Sequence, residues 1–164
     1  METVTILRRV CLKSCYLDQS IMDHLLHKLE KTIVGECTKE YGHIIAVSKI
    51  TRIINQEIGR INVENIFNLE LDALILNPKK GKEVIGTVCM VYKDGIFINI
   101  LDRQKMLIPT TTLSDYTFDS ASNTYKNGTR SIGVGDSIEA IVTASQYNDG
   151  SFSCLGVLKE LCSP

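Results

Sequence analysis

The stretch "KEVIGTVCMVYKDGIFINI", residues 82–100, predicts two antiparallel strands joined by a tight turn. Its first part, residues 82–92, is rich in the β-branched side chains that favour strands. Asp94 and Gly95 tolerate the positive φ angles that a two-residue hairpin turn requires, and a second apolar run follows at once. The stretch therefore predicts a β-hairpin from which the rest of the C-terminal half can be interpreted.

Isoleucines alternate with other side chains in the second strand of this hairpin. Ile96, Ile98 and Ile100 would share one face, which we expect to be the core face. Phe97 and Asn99 would then lie on the outer face. Small barrels of the OB type bind single-stranded nucleic acid on such a face, by stacking bases on aromatic rings. The alternative is that Phe97 packs against another domain of the same chain.

Three further strands are predicted beyond the hairpin. They span residues 105–109, 137–145 and 152–160, with a long polar connection over residues 110–135. The "GVGD" segment, residues 133–136, predicts a turn and not a phosphate loop, because a strand follows it where a helix would be needed to hold an anion. Gly86 and Gly156 would permit the bends of a small barrel. Five short strands with one long connection match a Greek-key barrel of the OB type.

The N-terminal half predicts a strand, a helix and two more strands. The strands span residues 3–12, 44–54 and 67–75, and the amphipathic helix begins after two potential N-cap residues, Asp18 and Ser20, and ends near Gly35. The segment from Asn55 to Asn62 is predicted to be a loop centred on Gly59.

The run "NPKKGK", residues 77–82, breaks the last N-terminal strand and predicts a domain boundary. The two domains would be residues 1–80 and 81–164. The predicted fold class is α+β. It consists of a small antiparallel sheet with one helix, followed by a five-stranded OB-fold β-barrel.

The charge balance limits any contact with nucleic acid to a local one. The formal net charge is −1, and residues 82–164 carry seven Lys and Arg against nine Asp and Glu, a net charge of −2. Such a barrel cannot bind RNA tightly through counterion release alone. Lys93, Arg103 and Lys105 lie near the ends of the predicted strands and could neutralise phosphates beside Phe97.

No motif in the sequence indicates an enzyme, a metal site or a cofactor. The six cysteines are dispersed without a CxxC pair, and Cys37 with His43 lacks the two close ligand pairs that are usual for structural zinc. Nucleophile, metalloprotease and P-loop patterns are absent. The N-terminus does not match a signal peptide, because Arg8 and Arg9 interrupt its apolar run. We therefore expect a non-secreted, intracellular protein without catalysis of its own.

Several motifs occur in an order that resembles a known family. They are "GECTKEYGHIIAV" (residues 35–47), "LDALILNPKKGKEVIGTV" (71–88), "KDGIFINI" (93–100) and "YTFD" (116–119), the last followed by a tyrosine and by "GDSIEAI" (135–141). Together they resemble the stalk subunit of multisubunit DNA-directed RNA polymerases, which is subunit seven in eukaryotic polymerase II and the E-type stalk chain in archaea. The resemblance runs along nearly the whole chain.

The resemblance implies two contact surfaces. The N-terminal domain would form a tip that docks on the polymerase core near the clamp, where glycine lets backbone approach backbone. Its docking residues would be Gly35, Tyr41, Gly42, Gly59 and Arg60. A subunit-four or F-type partner would lie along the groove between the domains. The barrel would contact nascent single-stranded RNA weakly, through Phe97, Lys93, Arg103 and Lys105.

Two features of the sequence depart from this family. The proline that usually precedes the N-terminal helix is absent, and the barrel lacks a basic surplus. The alternative function is a stand-alone OB-fold factor that binds single-stranded RNA in translation or RNA decay. A cellular eukaryotic stalk subunit would lie in the nucleus. The frequent isoleucine, asparagine and lysine residues are typical of an AT-rich genome and fit a large DNA virus, whose polymerase would be found in a cytoplasmic viral factory or the virion.

Overall fold

The computed structural model describes residues 1–60 and 64–162 of the chain. These residues form two compact units, Met1–Asn77 and Pro78–Pro164. Within the described residues, no helix has both the length and the apolar character needed to cross a lipid bilayer.

The first unit is a four-stranded antiparallel sheet with one α-helix. Along the chain lie β1 (Glu2–Leu12), α1 (Ile21–Ile33), β2 (Cys37–Thr38), β3 (Gly42–Ile58) and β4 (Asn65–Leu76), with a short 3-10 turn at Ser14–Tyr16. The strand order is β1-β4-β3-β2. The predicted alternation in β4 is confirmed, because the side chains from Phe67 to Ile75 alternate between buried and half-buried positions.

The helix α1 covers one face of this sheet with its apolar stripe. Leu25, Leu29 and Ile33 are buried against the core side chains of the strands. Ser20 occupies a predicted N-cap position, but neither predicted side chain caps the helix: the Asp18 carboxylate accepts the backbone N–H of Ser20 itself, at 2.8 Å, and the Ser20 side chain makes no capping hydrogen bond.

The loop predicted to start at Asn55 was wrong, because β3 continues to Ile58. Its last residues complete the antiparallel ladder with β4, and Asn55 lies opposite Asn68. The amides of these two side chains hydrogen-bond to each other, and Gln56 donates to Asn65 at 3.1 Å. Polar side chains that suggested a loop therefore satisfy one another across a strand pair. Residues 61–63 of the predicted loop lie outside the described part of the chain.

The second unit is a closed five-stranded barrel, as predicted. Its strands are β5 (Glu83–Tyr92), β6 (Gly95–Ile100), β7 (Gln104–Pro109), β11 (Ser137–Asn148) and β12 (Ser151–Leu161), in the order β11-β12-β7-β6-β5. Ile96, Ile98 and Ile100 are buried in its core, as the alternation in β6 predicted. The barrel is closed by a short parallel pairing between β7 and β12.

The predicted long polar connection between β7 and β11 contains ordered structure. It holds a 3-10 turn (Thr110–Thr112) and a small antiparallel sheet of β8 (Thr117–Asp119), β9 (Thr124–Asn127) and β10 (Arg130–Ile132). Tyr125 anchors this small sheet: its ring is fully buried, and its hydroxyl lies 2.7 Å from the Tyr92 carbonyl oxygen and 2.9 Å from that of Lys93.

The "GVGD" segment forms a turn before β11, as predicted. The Gly133 N–H donates to the Asp136 carboxylate at 2.8 Å, and the Asp136 N–H donates to the Gly133 carbonyl. Because the segment's own groups satisfy these donors, the turn is held by the chain itself.

Candidate nucleic-acid interface

Phe97 lies on the outer face of β6, between β5 and β7. Its register partners are Met90 on one side and Leu107 on the other. The Phe97 ring is half-buried and meets the ring of Tyr92 edge-on, with a centroid distance of 6.2 Å and an interplanar angle of 88°. These neighbours hold the ring in place and still leave part of it accessible, as a base-stacking platform requires.

A groove of about 810 Å³ opens beside this ring. Strands β6 and β7 contribute Phe97, Lys105 and Leu107, and β11 and β12 contribute Ala144, Ser145, Gln146, Phe152, Ser153, Cys154 and Leu155. The lining thus combines aromatic and apolar surface with a few polar groups and one cation. Among these described lining residues there is no carboxylate.

The local charge of the groove differs from the charge of the barrel as a whole. Lys105 is exposed and provides the lining's single full charge, although residues 82–164 sum to −2. Lys105 lies opposite Asn99 in the ladder, and the Asn99 amide donates to Asp102 at 2.6 Å. A lysine beside an aromatic ring can neutralise a phosphate while a base stacks on the ring.

Two of the predicted RNA-contacting residues lie away from this groove. Lys93 lies in the turn before β6, and its carbonyl oxygen accepts the Thr110 hydroxyl at 2.8 Å. Arg103 follows the other end of β6, where its backbone N–H donates to Ile100. Both side chains are exposed, but neither lines the groove. The structure therefore brings Phe97 and Lys105 together and leaves the other two cations at opposite ends of β6.

The sequence interpretation missed Phe152 as a second aromatic of the groove. Phe152 pairs with Tyr147 across the β11–β12 hairpin, and their rings lie 5.2 Å apart. Its carbonyl accepts the buried Gln104 amide at 2.8 Å, which ties β12 to β7. The Asp149-Gly150 turn could have indicated the ring pair. The position of Phe152 near Phe97 depends on the parallel pairing that closes the barrel, and no local sequence pattern predicts that pairing.

The predicted docking residues of the N-terminal unit fall into an exposed and a buried set. Gly35 is exposed with φ of 95°, and its N–H donates to Ile44 at 2.9 Å. Tyr41 is half-buried, and burial, together with the neighbouring Glu40 carboxylate, raises the pKa of its hydroxyl. Gly42 is buried with φ of 76°; a Cβ there would overlap the Leu76 carbonyl oxygen and lie 2.8 Å from Asn77 Cα. Glycine at position 42 thus serves the chain's own packing.

The second predicted docking segment follows β3. The Gly59 N–H donates to the Glu64 carbonyl at 2.8 Å, and Arg60 is exposed. Ile53, Ile54 and Ile58 near the end of β3 are also exposed, with Ile58 leaving 70 % of its surface open. The sequence interpretation missed the exposed position of Ile58 at the end of a strand because it assigned this residue to a polar loop.

Cys37 and His43 are neighbours across β2 and β3. Burial raises the pKa of the Cys37 thiol, which disfavours the thiolate that a metal needs. Within residues 1–60 and 64–162, no cluster of three or more His, Cys, Asp or Glu side chains could hold a metal ion.

Comparison with known proteins finds a similarity for the barrel first. Residues 77–154 match the S1 RNA binding domain family, a class of OB-fold barrels, which agrees with the strand order. A partial likeness to the apo form of Mycoplasma genitalium RNase R has a TM-score of 0.39 at 20 % identity, and covers 48 % of this chain and 13 % of that one.

Two curated relatives extend over nearly the whole chain. The DNA-directed RNA polymerase II subunit RPB7 of Saccharomyces cerevisiae is 24 % identical over 156 residues, which is 92 % of this chain and 91 % of the relative. The protein of the same name from Glycine max is 23 % identical over 160 residues, covering 93 % and 89 %. This similarity includes the N-terminal sheet and helix as well as the S1 domain.

Proposed function

We propose that this chain is a non-catalytic stalk subunit of a DNA-dependent RNA polymerase. One observation carries the proposal: the similarity to RPB7 subunits runs through both units and covers about nine-tenths of each chain. An S1 domain alone would fit many RNA-binding proteins, whereas the added N-terminal sheet and helix restrict the match. In this proposal the chain has no active site of its own.

The S1 barrel would contact nascent RNA through the groove that contains Phe97 and Lys105. Stacking one base on an aromatic ring contributes about 1–3 kcal/mol, whatever the base. A single groove lysine and a net charge of −2 give little additional attraction. Binding would therefore be weak alone and useful where a larger complex already holds the transcript.

The N-terminal unit would dock on the polymerase core. Ile53, Ile54 and Ile58 are exposed and offer apolar surface to bury, and Arg60 and Gly35 lie in exposed segments. A second stalk chain of the subunit-four or F type is expected as a further partner. The protein would act inside the cell, in the nucleus if its source is a cellular eukaryote, or in a viral factory or virion if its source is a large DNA virus.

The alternative of a stand-alone RNA-binding factor is not favoured. It would account for the S1 match over residues 77–154 but not for the similarity of residues before it to polymerase subunits. The two functions make opposite predictions for the purified chain: the stand-alone factor would bind single-stranded RNA tightly without help.

Gentle affinity purification of the tagged full-length chain from its source tests the proposal directly. We expect the large subunits of an RNA polymerase in the eluate, in near-stoichiometric amounts, with the tag at either terminus. Recovery of ribosomes or a nuclease complex in their place, or of the chain alone with both tags, would overturn the proposal.

A further inference from the structure

Strand β12 is paired along only part of one edge. On one side it pairs with β11 from Ser151 to Leu161. On the other side it pairs with β7 at Cys154 and Leu155 alone. Beyond these two residues, nothing in the described part of the chain forms a ladder with the second edge of β12. The edge defined by residues 157–161 is therefore open.

A proline explains why the pairing with β7 stops. The parallel register places Met106 beside Cys154 and Leu107 beside Leu155, so Pro109 would come beside Val157. Proline has no backbone N–H and cannot donate to the ladder. The chain instead leaves β7 at Pro109 and enters the 3-10 turn. The open edge of β12 lies beyond residue 154, where the S1 match ends.

A groove of about 1180 Å³ runs beside this open edge. One wall is formed by β12 residues Leu158 to Leu161 with Cys162 after them, and the other by the connection after β7, by β10 and by the turn before β11. An added strand would lie about 4.8 Å from β12 and would hydrogen-bond to its free backbone groups. The groove provides space for an extended peptide at that position.

The side chains around the groove favour a basic peptide. Its lining carries three carboxylates (Asp115, Asp136 and Glu160) against two cations (Arg130 and Lys159). Lys159 is already held by two carboxylates outside the lining, Glu83 at 2.9 Å and Glu139 at 3.3 Å. The remaining charged side chains of the groove lining therefore present a net negative charge to a ligand. Ile85 of β5, which is 61 % exposed, adds an apolar side chain to the lining.

We propose that this groove binds an extended basic segment of a partner polypeptide, which adds to the open edge of β12 as a further strand. Backbone hydrogen bonds would provide the part of the affinity that does not depend on the peptide's sequence. Asp115 and Glu160 would select lysine or arginine side chains. The proposal does not depend on the polymerase assignment, because it rests on the strand edge and the groove charge alone.

The test uses the full-length protein and a fluorescein-labelled, end-capped hexapeptide of alternating arginine and valine. Two further peptides carry N-methyl groups either on all arginine amides or on all valine amides. Only alternate amides of an added strand point toward β12. We therefore expect the unmodified peptide to bind saturably, one methylated peptide to bind similarly and the other to lose at least about tenfold in affinity.

Charge variants locate the bound peptide. Asp115→Lys and Glu160→Lys replace exposed carboxylates of the groove and should each weaken binding by about tenfold or more. Glu30→Lys makes the same charge change on the exposed side of α1 and should leave binding unchanged.

Three results would overturn the proposal. They are equal effects of the two methylation patterns, equal effects of the groove and control variants, and the absence of saturable binding by the unmodified peptide.

Discussion

Phe97 on β6 and Lys105 on β7 line the same groove on the outside of the barrel, two residues apart along the ladder because Lys105 lies opposite Asn99. An aromatic ring and a cation at this spacing can hold a base and a phosphate of one strand. Lys93 and Arg103 do not share the groove, so the pair makes a sharper prediction than the four residues together.

Phe97→Ala should weaken binding of single-stranded RNA by roughly 5- to 150-fold, because it removes one stacking platform worth about 1–3 kcal/mol. Lys105→Gln should lower the salt slope of the affinity by about 0.7, as expected for one lost phosphate contact to a single strand. Fluorescence titrations with an oligouridine at several salt concentrations measure both effects. Val134→Ala removes an exposed apolar side chain elsewhere in the second unit and should change neither. Equal losses in all three variants would contradict the groove assignment.

The position of Phe97 in the groove could be predicted from the sequence, whereas that of Phe152 could not, for a physical reason. The outward position of Phe97 follows from the two-residue period of a strand, which local sequence determines. Phe152 joins the groove only because β12 closes the barrel against β7, a pairing between residues far apart in the chain. The same limit applies to Ile58, whose polar neighbours suggested a loop until their pairing with β4 was known.

Gly42→Ala should destabilise the first unit strongly, by about 3 kcal/mol or more. Alanine must adopt a φ of 76°, and its Cβ overlaps the Leu76 carbonyl oxygen. Gly81→Ala is the matched control, since Gly81 has a φ of 85° with no atom within 4 Å of the position that a Cβ would take, and it should cost only about 1 kcal/mol. Amide hydrogen exchange in β4 and in β11 measures each unit separately. Similar costs at both glycines would show that the contact with Leu76 adds nothing.

The hairpin of β8 and β9 should loosen in acid through Asp119. The Lys126 ammonium, the Ser122 hydroxyl and the Ala121 N–H all bond to the Asp119 carboxylate and hold its pKa well below the ordinary value. A carboxyl group whose pKa is lower in the folded state stabilises the fold at pH values above its unfolded-state pKa of about 3.9. This contribution is lost as the pH falls from there toward the folded-state pKa. Amide protection factors in β9 should therefore drop between about pH 4 and pH 2. In Asp119→Asn the same factors should be lower at neutral pH and should lack this transition; a transition that persists in that variant would exclude Asp119 as its cause.

Under the proposed docking of the N-terminal unit on a polymerase core, Ile58→Asp should release the chain from that core without unfolding it. Ile58 is 70 % exposed at the end of β3, so a charge there costs the free chain little, whereas burying that charge in an interface without a partner is costly. Leu7→Asp places the same charge on β1, at a residue that is 61 % exposed. We expect the Ile58 variant to recover at least about tenfold less polymerase in the tagged purification, and the Leu7 variant to recover normal amounts. Circular dichroism of both variants should match the unmodified chain. Normal recovery with Ile58→Asp would separate the docking surface from the end of β3, and it would leave Gly35, Tyr41 and Gly42 as the remaining predicted contacts of the N-terminal unit.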